Sequence, residues 1–328
     1  MNPVETLTLT ASDIARCLTP STCRTAVEQA FALLAEGRVP AARSSGFESP
    51  LGTFHAKLAL YDAGRARFVA KINGNFPKNL ATSGLPTVQG VLILSDAADG
   101  RPLAIMDSAM VTALRTAAAS AVAADHLARR DAAVLAVVGC GLQGAPHITA
   151  LSEVRPIREI RLYDMVAERA AALARQHQGG GLSCRAVTSI AEATHGADLV
   201  ATCTTGGAFV LDRADVDPGT FVAAVGTDNP HKREIAPGLM SAACVVVDDL
   251  DQCARGGDLH HAIAAGAMTA DDVHSDLARV VAGRHPPLTD QVVVFDSTGV
   301  ALEDAAAADF VYERARELGL GHAIRLAQ

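Results

Sequence analysis

An apolar run that ends in three closely spaced glycines, and then continues as a helical pattern, constrains this chain more than any other feature. The segment AVLAVVGCGLQGAPHITAL spans residues 133–151 and contains Gly139, Gly141 and Gly144. Glycines at this GxGxxG spacing allow a tight strand-to-helix turn, close approach of the backbone to a pyrophosphate, and close packing of helix on strand. Free N–H groups at the helix start then face the negative charge. The turn predicts a dinucleotide site, although a lone GxGxxG also suits a plain tight turn.

A second strand supports the dinucleotide interpretation. The run EIRLYD ends at Asp164, 20 residues after Gly144. The dinucleotide fingerprint has an acid at this distance, which binds the ribose hydroxyls. A carboxylate there repels the 2′-phosphate of NADP, and the next residues, Met165 and Val166, supply no cation, although Arg169 lies one turn further on. The sequence therefore predicts NAD as the cofactor, with NADP less favoured.

From residue 133 onward, short apolar runs alternate with helical segments. The runs are AVLAVVG, EIRLYD, ADLVATCT, TFVAAVG, ACVVVDD and QVVVFDS. Strands without polar alternation are buried on both faces, as in a parallel sheet with helices on each side. The predicted fold class is α/β, with a Rossmann-type doubly wound parallel sheet in mid-chain.

The N-terminal part has a different pattern. Residues 20–36 predict a helix, with Pro20 in the first turn and Gly37 as a stop. The runs FHAKLALY, ARFVAKI, VQGVLILSD and PLAIMDS predict an antiparallel sheet, and residues 111–129 predict an alanine-rich helix. The pattern predicts a second, α+β domain with a boundary near residues 115–130. It leaves open whether the final helix, ALEDAAAADFVYERAREL, belongs to this domain or to the nucleotide domain.

Composition excludes several classes of protein. Apolar residues make up 49% and charged residues 20%, which is typical of a globular chain, and the net charge of −8 disfavours a nucleic-acid partner. No apolar run reaches the ~18 residues of a membrane span, and the N-terminus lacks signal-peptide features. Seven cysteines without a CxxC pair indicate reduced thiols in a cytoplasmic protein. Adjacent histidines, His260 and His261, cannot share one metal as an i, i+4 pair does, and no metal site is expected.

Longer segments carry a resemblance to a known family. They are VAKINGNFPKNLATSGLPTVQGVLIL, PLAIMDSAMVTALRTAAASAVAADHLAR, VGTDNPHKREI, VVVDDLDQC and VVVFDSTGVALEDAA. Together they resemble the ornithine cyclodeaminase/mu-crystallin family from about residue 20 to residue 318. The resemblance implies a substrate-binding and dimerisation domain formed by residues 1–115 plus 300–328. It also implies a Rossmann dinucleotide-binding domain at residues 116–299, and a homodimer.

The resemblance also implies roles for individual residues. Asp228 and Lys71 fall on the catalytic positions, as acid/base and active-site lysine. The implied substrate ligands are Arg43, Lys71, Arg115 and Thr298. The implied cofactor contacts are Thr87, Arg115, Gly139, Gly141, Leu142, Gln143, Gly144, Asp164, Thr204, Val225, Gly226, Thr227, Lys232 and Ser297. The chain departs from the family at FHAK, around Lys57, and at NPHKRE.

Reasoning from the residues themselves supports part of this assignment and leaves alternatives open. Thr204, Asp228 and Ser297 each follow a different buried strand, and ligands of parallel sheets bind beyond the carboxyl ends of strands. Asp228 also precedes Asn-Pro and suits a turn. Lys71 is equally expected as a strand lysine that faces water, and Arg115 as a partner in a salt bridge on its own helix.

The expected function is an NAD(H)-dependent oxidoreductase acting at the α-carbon of a small L-amino acid or imino acid. Alanine dehydrogenase-like and imino acid or ketimine reductase activities both fit this expectation. The alternative is an ornithine cyclodeaminase, which converts L-ornithine to L-proline and ammonia while NAD is recycled. A second alternative is a non-catalytic, crystallin-like binding protein. The expected partner is a small amino acid or imino acid, with no nucleic acid, membrane or metal.

Overall fold

The computed structural model describes residues 5–179, 181–288 and 290–326. The chain divides into two compact units. Unit 1 comprises Met1–Arg115 and Val300–Gln328, and unit 2 comprises Thr116–Gly299. The chain passes from unit 1 to unit 2 after Arg115, within a long helix, and returns to unit 1 at Val300, just before its last helix.

The elements follow in chain order. They begin with β1 (Thr6–Leu9), α1 (Ala11–Cys17), α2 (Pro20–Ala35), β2 (Arg43–Ser49), β3 (Gly52–Asp62), β4 (Ala66–Asn75), α3 (Asn79–Ser83), β5 (Val88–Asp96), β6 (Pro102–Asp107) and α4 (Ser108–Leu127). They continue with β7 (Val134–Val138), α5 (Gly144–Val154), β8 (Glu159–Tyr163), α6 (Ala167–Gln176), β9 (Ser183–Ala186), α7 (Ile190–Thr194), β10 (Leu199–Thr202), β11 (Phe221–Ala224), α8 (Pro237–Ala242) and β12 (Cys244–Val247). The last are α9 (Leu250–Gly256), α10 (Asp258–Ala264), β13 (Ser275–Asp276), α11 (Leu277–Val281), β14 (Val293–Asp296), α12 (Ala301–Leu318) and β15 (His322–Ile324).

Unit 1 is built on a mixed sheet with strand order β15-β1-β6-β5-β4-β3-β2. The four predicted strands form its antiparallel centre, and β1 pairs with β6 in parallel. Helix α12 contacts β3, β4 and β5, and it also packs against α2. The predicted helix over residues 20–36 is confirmed as α2, whose N-terminus is capped by Thr19. The final helix belongs to unit 1 rather than to the nucleotide unit.

The other face of the unit 1 sheet, here called the outer face, is apolar and exposed. Cross-strand pairs share a face, and Leu58 pairs with Ala70 while Ile72 pairs with Val91. Phe47, at 71% exposure, pairs with Phe54 on the same face. Leu58, Ile72 and Val91 are also exposed. Contiguous apolar surface of this kind on a sheet is typical of an interaction face.

Unit 2 is a doubly wound parallel sheet with strand order β13-β12-β14-β11-β10-β7-β8-β9. All six predicted apolar runs form strands of this sheet, so the predicted fold class is confirmed. The register pairs Val138 with Thr202, Thr202 with Ala224, and Ala224 with Asp296. The carboxyl ends of β7, β10, β11 and β14 therefore lie level along one edge. Chain order reverses beside β7, and ligands bind at such a switch point.

The predicted alanine-rich helix is α4, which begins three residues before the predicted start. Small side chains allow close helix packing in unit 2, where Ala117 and Ala121 of α4 meet Ala150 and Val154 of α5. Among the described residues, no helix combines the length and apolar character that a bilayer crossing requires.

Candidate functional site

The centre of unit 1 holds a buried ion pair between Lys71 of β4 and Asp304 in the first turn of α12. The lysine Nζ lies 2.8 Å from the Asp304 Oδ1 and donates a second hydrogen bond, of 3.2 Å, to the Thr112 hydroxyl. Lys71 is only 3% exposed and Asp304 is fully buried. The interpretation of Lys71 as a strand lysine that faces water is therefore wrong.

Arg115 joins the same carboxylate from α4. Its Nε donates to the Asp304 Oδ1 at 3.1 Å, and its Nη1 donates to the Glu303 Oε2 at 2.9 Å. Glu303 also accepts a hydrogen bond from the Val300 N–H, which fixes its side chain at the start of α12. Two cations and two carboxylates thus compensate each other's charge in the interior, as buried charges require.

Burial shifts the protonation of this group. Loss of water lowers the pKa of Lys71 to about 7, with Arg115 and Lys57 acting in the same direction, although Asp304 opposes the shift. Burial alone would raise the pKa of Asp304, but the positive charges of Arg115 and Lys71 hold it below its ordinary value. The positive charges thus favour the ionised form of Asp304, whereas burial favours the neutral amine of Lys71.

The unit 1 residues predicted as ligands are not all brought together. Lys57 of β3 is the cross-strand partner of Lys71 and shares its face. Arg43 pairs with Leu58, so its side chain starts from the outer face, opposite Lys71. It is exposed at the first residue of β2. Thr87 precedes β5, and its carbonyl accepts the Phe76 N–H. Lys71 and Arg115 meet, whereas Arg43 lies apart from them.

In unit 2, the three glycines of the turn have three different environments. Gly139 has a φ of +100°, and a Cβ there would lie 2.7 Å from the Cys203 carbonyl oxygen. A Cβ on Gly144, the first residue of α5, would lie 3.1 Å from Leu173 Cδ2. A Cβ on Gly141 would meet nothing within 4 Å. Packing and a positive φ thus require glycine at 139, the fit at Gly144 is tight, and the space at Gly141 is open.

Asp164, at the end of β8, is held against this turn. Its Oδ2 accepts the Cys140 N–H at 2.8 Å, and its Oδ1 accepts the Val166 N–H at 2.8 Å. These bonds fix the carboxylate at the edge of the sheet and leave each oxygen a further lone pair. Met165 beside it is 93% exposed and brings no charge.

Two polar side chains at the same edge have unsatisfied buried atoms. The Gln143 Oε1 has no hydrogen-bond partner. The Thr204 hydroxyl lies close enough to Glu234 to lower the pKa of that carboxyl, but it does not reach hydrogen-bond geometry. Buried polar atoms are normally satisfied, so atoms of this kind indicate a place where a ligand completes the bonding.

Asp228 follows β11 and has an exposed carboxylate. Its Oδ1 lies 2.8 Å from the Lys232 Nζ and accepts the Asn229 side-chain amide at 3.0 Å. The Asn229 Oδ1 in turn accepts the His231 N–H, so the segment is also a turn. Lys232, predicted as a cofactor contact, is paired with the predicted acid/base residue.

Comparison with known proteins fits this geometry. The profile of the ornithine cyclodeaminase/mu-crystallin family matches residues 4–319. The alanine dehydrogenase of Archaeoglobus fulgidus is 34% identical over 325 residues, covering 98% of this chain and 99% of that protein. This chain belongs to the ornithine cyclodeaminase/mu-crystallin family. The resemblance carried by the sequence segments is confirmed.

Solved structures of the family agree over the whole chain. An archaeal alanine dehydrogenase dimer with bound NAD superposes with a TM-score of 0.93 at 33% identity, covering 99% of this chain and 100% of that one. The Thermococcus litoralis Δ1-pyrroline-2-carboxylate reductase, in complex with NADH and L-proline, superposes with a TM-score of 0.91 at 29% identity, covering 97% and 100%.

Ser297 and Thr298, which were predicted as ligands, donate hydrogen bonds to Asp248, a carboxylate that sequence reasoning missed. The Ser297 hydroxyl donates to the Asp248 Oδ2 at 3.0 Å, and the Thr298 hydroxyl donates to its Oδ1 at 3.3 Å. The Gly299 N–H donates to the same carboxylate. Asp248 thus organises the chain after β14. An acid directly after the strand CVVV was the signal that could have found it.

Sequence reasoning also missed the acids that hold the cations of unit 1. Glu303 and Asp304 begin the helix segment ALEDAAAADF, in which the following side chains are small and buried. On a helix that is covered on all sides, two acids next to a run of alanines must be buried. Such a pattern indicates that the acids have charged or hydrogen-bonding partners in the interior. Their partners, Lys71 and Arg115, lie 188 or more residues away in sequence. The spacing of residues in the sequence therefore could not predict these ion pairs.

Proposed function

We propose that this enzyme is an NAD(H)-dependent oxidoreductase acting at the α-carbon of a small L-amino acid or imino acid. The observation that carries the proposal is the convergence of Lys71 and Arg115 on Asp304 in a buried cluster. A preorganised pair of cations suits a substrate carboxylate, and an amine with a pKa of about 7 suits proton exchange with an amine or imine. The archaeal alanine dehydrogenase supports the choice of reaction.

The residues of unit 2 fit a dinucleotide. The open space at Gly141 and the unsatisfied Gln143 Oε1 lie at one edge of the sheet and suit a ligand there. Asp164 has the lone pairs to accept ribose hydroxyls, so we propose NAD rather than NADP. The further proposed contacts are Thr87, Arg115, Leu142, Thr204, Val225, Gly226, Thr227, Lys232 and Ser297.

The choice of cofactor makes a direct prediction. The double variant Asp164→Asn/Met165→Arg should shift the ratio of the NADPH and NADH dissociation constants toward NADPH by roughly tenfold or more, because one favourable charge contact is worth about that factor. Asn keeps an acceptor for the turn amides, and Met165→Arg alone is the control. Titration of cofactor fluorescence measures both constants. Tighter binding of NADPH than of NADH by the unmodified enzyme would show that the role of Asp164 is wrong.

The residues divide the chemistry between them. When bound, NAD(H) accepts or supplies the hydride at the substrate α-carbon. Lys71, Arg115 and Thr298 are the proposed ligands of the substrate carboxylate. Arg43 starts from the opposite face of the sheet and is not proposed as a ligand. Asp228 takes a proton from the substrate ammonium and activates water or ammonia at the imine carbon. Protonated Lys71 polarises the imine by its charge.

The alternatives to net oxidoreduction are ornithine cyclodeamination and ligand binding without catalysis. Cyclodeamination shares the first half-reaction and the same groups, and it differs in that the substrate's own side-chain amine attacks the imine. A binding protein needs neither a proton-exchanging lysine nor a general base, whereas the proposed oxidoreductase uses Lys71 and Asp228 in these two roles.

Kinetic variants test the division of roles. Asp228→Asn keeps size and polarity but removes basicity, so turnover should fall by about 10²–10⁴ while NADH binding changes little. Lys71→Met should raise the KM for the amino acid and also lower turnover. In the reductive direction, kcat/KM should fall as the pH rises through about 7, because Lys71 loses its proton there, and Lys71→Met should lack this limb.

Matched surface variants provide the controls for these measurements. Lys78→Met and Asp251→Asn change exposed residues of the same types and should leave the kinetics unchanged. Melting temperatures separate lost chemistry from lost stability. A folded Asp228→Asn enzyme that binds NADH and turns over at the unmodified rate contradicts the mechanism.

We also propose that the enzyme is a homodimer joined through the outer face of unit 1. The exposed Phe47, Leu58, Ile72 and Val91 supply the apolar surface, and the archaeal alanine dehydrogenase is a dimer. A closed symmetric pair buries such a self-complementary face on both copies.

The seven free cysteines support the expectation of a reducing, cytoplasmic location.

Charge placed on the outer face should break the dimer. Leu58→Glu/Ile72→Glu should sediment as a monomer at micromolar concentration, because burying two uncompensated carboxylates per copy is unfavourable. Leu250→Glu, at an exposed leucine of unit 2, is the control and should leave the dimer intact. A monomeric unmodified protein, or a dimer that survives both outer-face charges, would count against this interface.

A further inference from the structure

Glu234 is a buried carboxylate that joins the ends of two neighbouring strands. It has no solvent exposure. Its Oε1 accepts the Thr204 N–H at 2.6 Å, and its Oε2 accepts the Gly226 N–H at 2.8 Å. The Thr202 hydroxyl adds a third hydrogen bond of 2.7 Å to Oε2. One side chain thus holds the segments that follow β10 and β11.

The two amides are equivalent positions of the sheet. β10 ends at Thr202 and β11 at Ala224, and these residues are paired in register. Thr204 and Gly226 each lie two residues beyond their strand, where the ladder has ended and the backbone amides need another acceptor. Glu234 supplies both acceptors, so the separation of the two segments depends on the width of one carboxylate.

Gly226 shows how close this approach is. A Cβ at that position would lie 2.4 Å from both the Glu234 carboxylate and the Thr204 carbonyl oxygen. No side chain larger than hydrogen fits without moving the carboxylate. Glycine is required here by contact with Glu234 rather than by an unusual φ.

The backbone of Glu234 is fixed as well. Its N–H donates to the buried Asp258 Oδ1 at 2.8 Å, and its carbonyl accepts the Val210 and Leu211 N–H groups. The carboxylate is therefore anchored from behind, and movement of the strand-end segments relative to it is restricted at both amides.

Hydrogen bonds from Thr202, Thr204 and Gly226 stabilise the buried Glu234 carboxylate. Burial raises the pKa of Glu234 to about 7, with the negative charge of Asp258 acting in the same direction and the Thr202 and Thr204 donors opposing it. The ionised form accepts all three donors, whereas the protonated form gives up part of that capacity.

We propose that Glu234 is a positioning residue for the cofactor: it sets the spacing of the Thr204 and Gly226 segments and thereby the affinity for the dinucleotide. This inference rests on the proposed NAD(H) function, because Thr204 and Val225–Asp228 are the residues assigned to cofactor and proton transfer there. Glu234 touches neither cofactor nor substrate in this account and acts through the two amides.

The test compares Glu234→Gln with Thr202→Val. In Glu234→Gln, an NH₂ group replaces one carboxylate oxygen and faces a backbone donor, so one segment loses its anchor. NADH should bind roughly 10–100-fold more weakly, as expected for losing a hydrogen bond to a charged group. Thr202→Val removes only the hydroxyl donor and keeps both amide bonds, so it should lower the melting temperature but change NADH binding by less than about threefold.

Two further readouts separate positioning from a purely structural role. Glu234→Gln should raise the KM for NADH without raising the KM for the amino acid. In the unmodified enzyme, NADH affinity should weaken as the pH falls through about 7, and this limb should be absent in Glu234→Gln. The titratable groups facing Glu234 are Asp258 of α10, whose pKa burial raises to about 6, and Cys203, whose pKa burial keeps far above neutrality. A limb that persists in Glu234→Gln comes from Asp258 and overturns the proposal.

Other outcomes are equally decisive. A folded Glu234→Gln enzyme that binds NADH within about twofold of the unmodified enzyme overturns the inference, as does equal weakening by Thr202→Val. If Glu234→Gln does not fold, the pH titration of the unmodified enzyme still decides, since a flat curve contradicts the role. An unmodified enzyme that fails to bind NADH at all refutes the proposed function instead.

Discussion

The fully buried carboxylate of Asp304 is the constraint on which the buried charge cluster of unit 1 depends. An isolated charge in this place would be very costly, so Asp304 requires the cations of Lys71 and Arg115, and they require it. The requirement ties β4 and α4 to the first turn of α12. It explains why the last helix returns to a domain that began almost 300 residues earlier. It also brings a lysine with a pKa of about 7 to the cluster.

Unit 2 also depends on buried carboxylates, which are stabilised there by hydrogen bonds. Its strand ends are organised by buried acids that accept backbone and hydroxyl hydrogen bonds: Asp248 for the segment after β14, and Glu234 for those after β10 and β11. Each acid accepts hydrogen bonds from backbone N–H groups that lie beyond the end of a strand and so have no carbonyl partner in the sheet. The edge that is predicted to hold the dinucleotide is therefore fixed by carboxylates located behind it.

The sequence predicted the elements better than the contacts. The six parallel strands, helix α2 and helix α12 were recovered because their apolar patterns are local. β2 and β9 were missed because RSSGFES and SCRA carry few β-branched or apolar residues, so their pairing is decided by neighbouring strands. The partners of Lys71 and Arg115 could not be predicted, since they are brought close only by the return of the chain. Arg43 was placed by resemblance, and the strand register turns it away from Lys71.

The most direct measurement incubates the enzyme with a panel of small L-amino acids, L-ornithine and cyclic imino acids, each with NAD or NADH. Nicotinamide absorbance and ammonia are recorded together. The account predicts a stoichiometric change in reduced nicotinamide with at least one small amino acid or imino acid. Ammonia released from L-ornithine without any absorbance change would contradict net oxidoreduction and identify cyclodeamination. No reaction with any member of the panel, by an enzyme that binds NADH, would contradict the catalytic roles of Lys71 and Asp228.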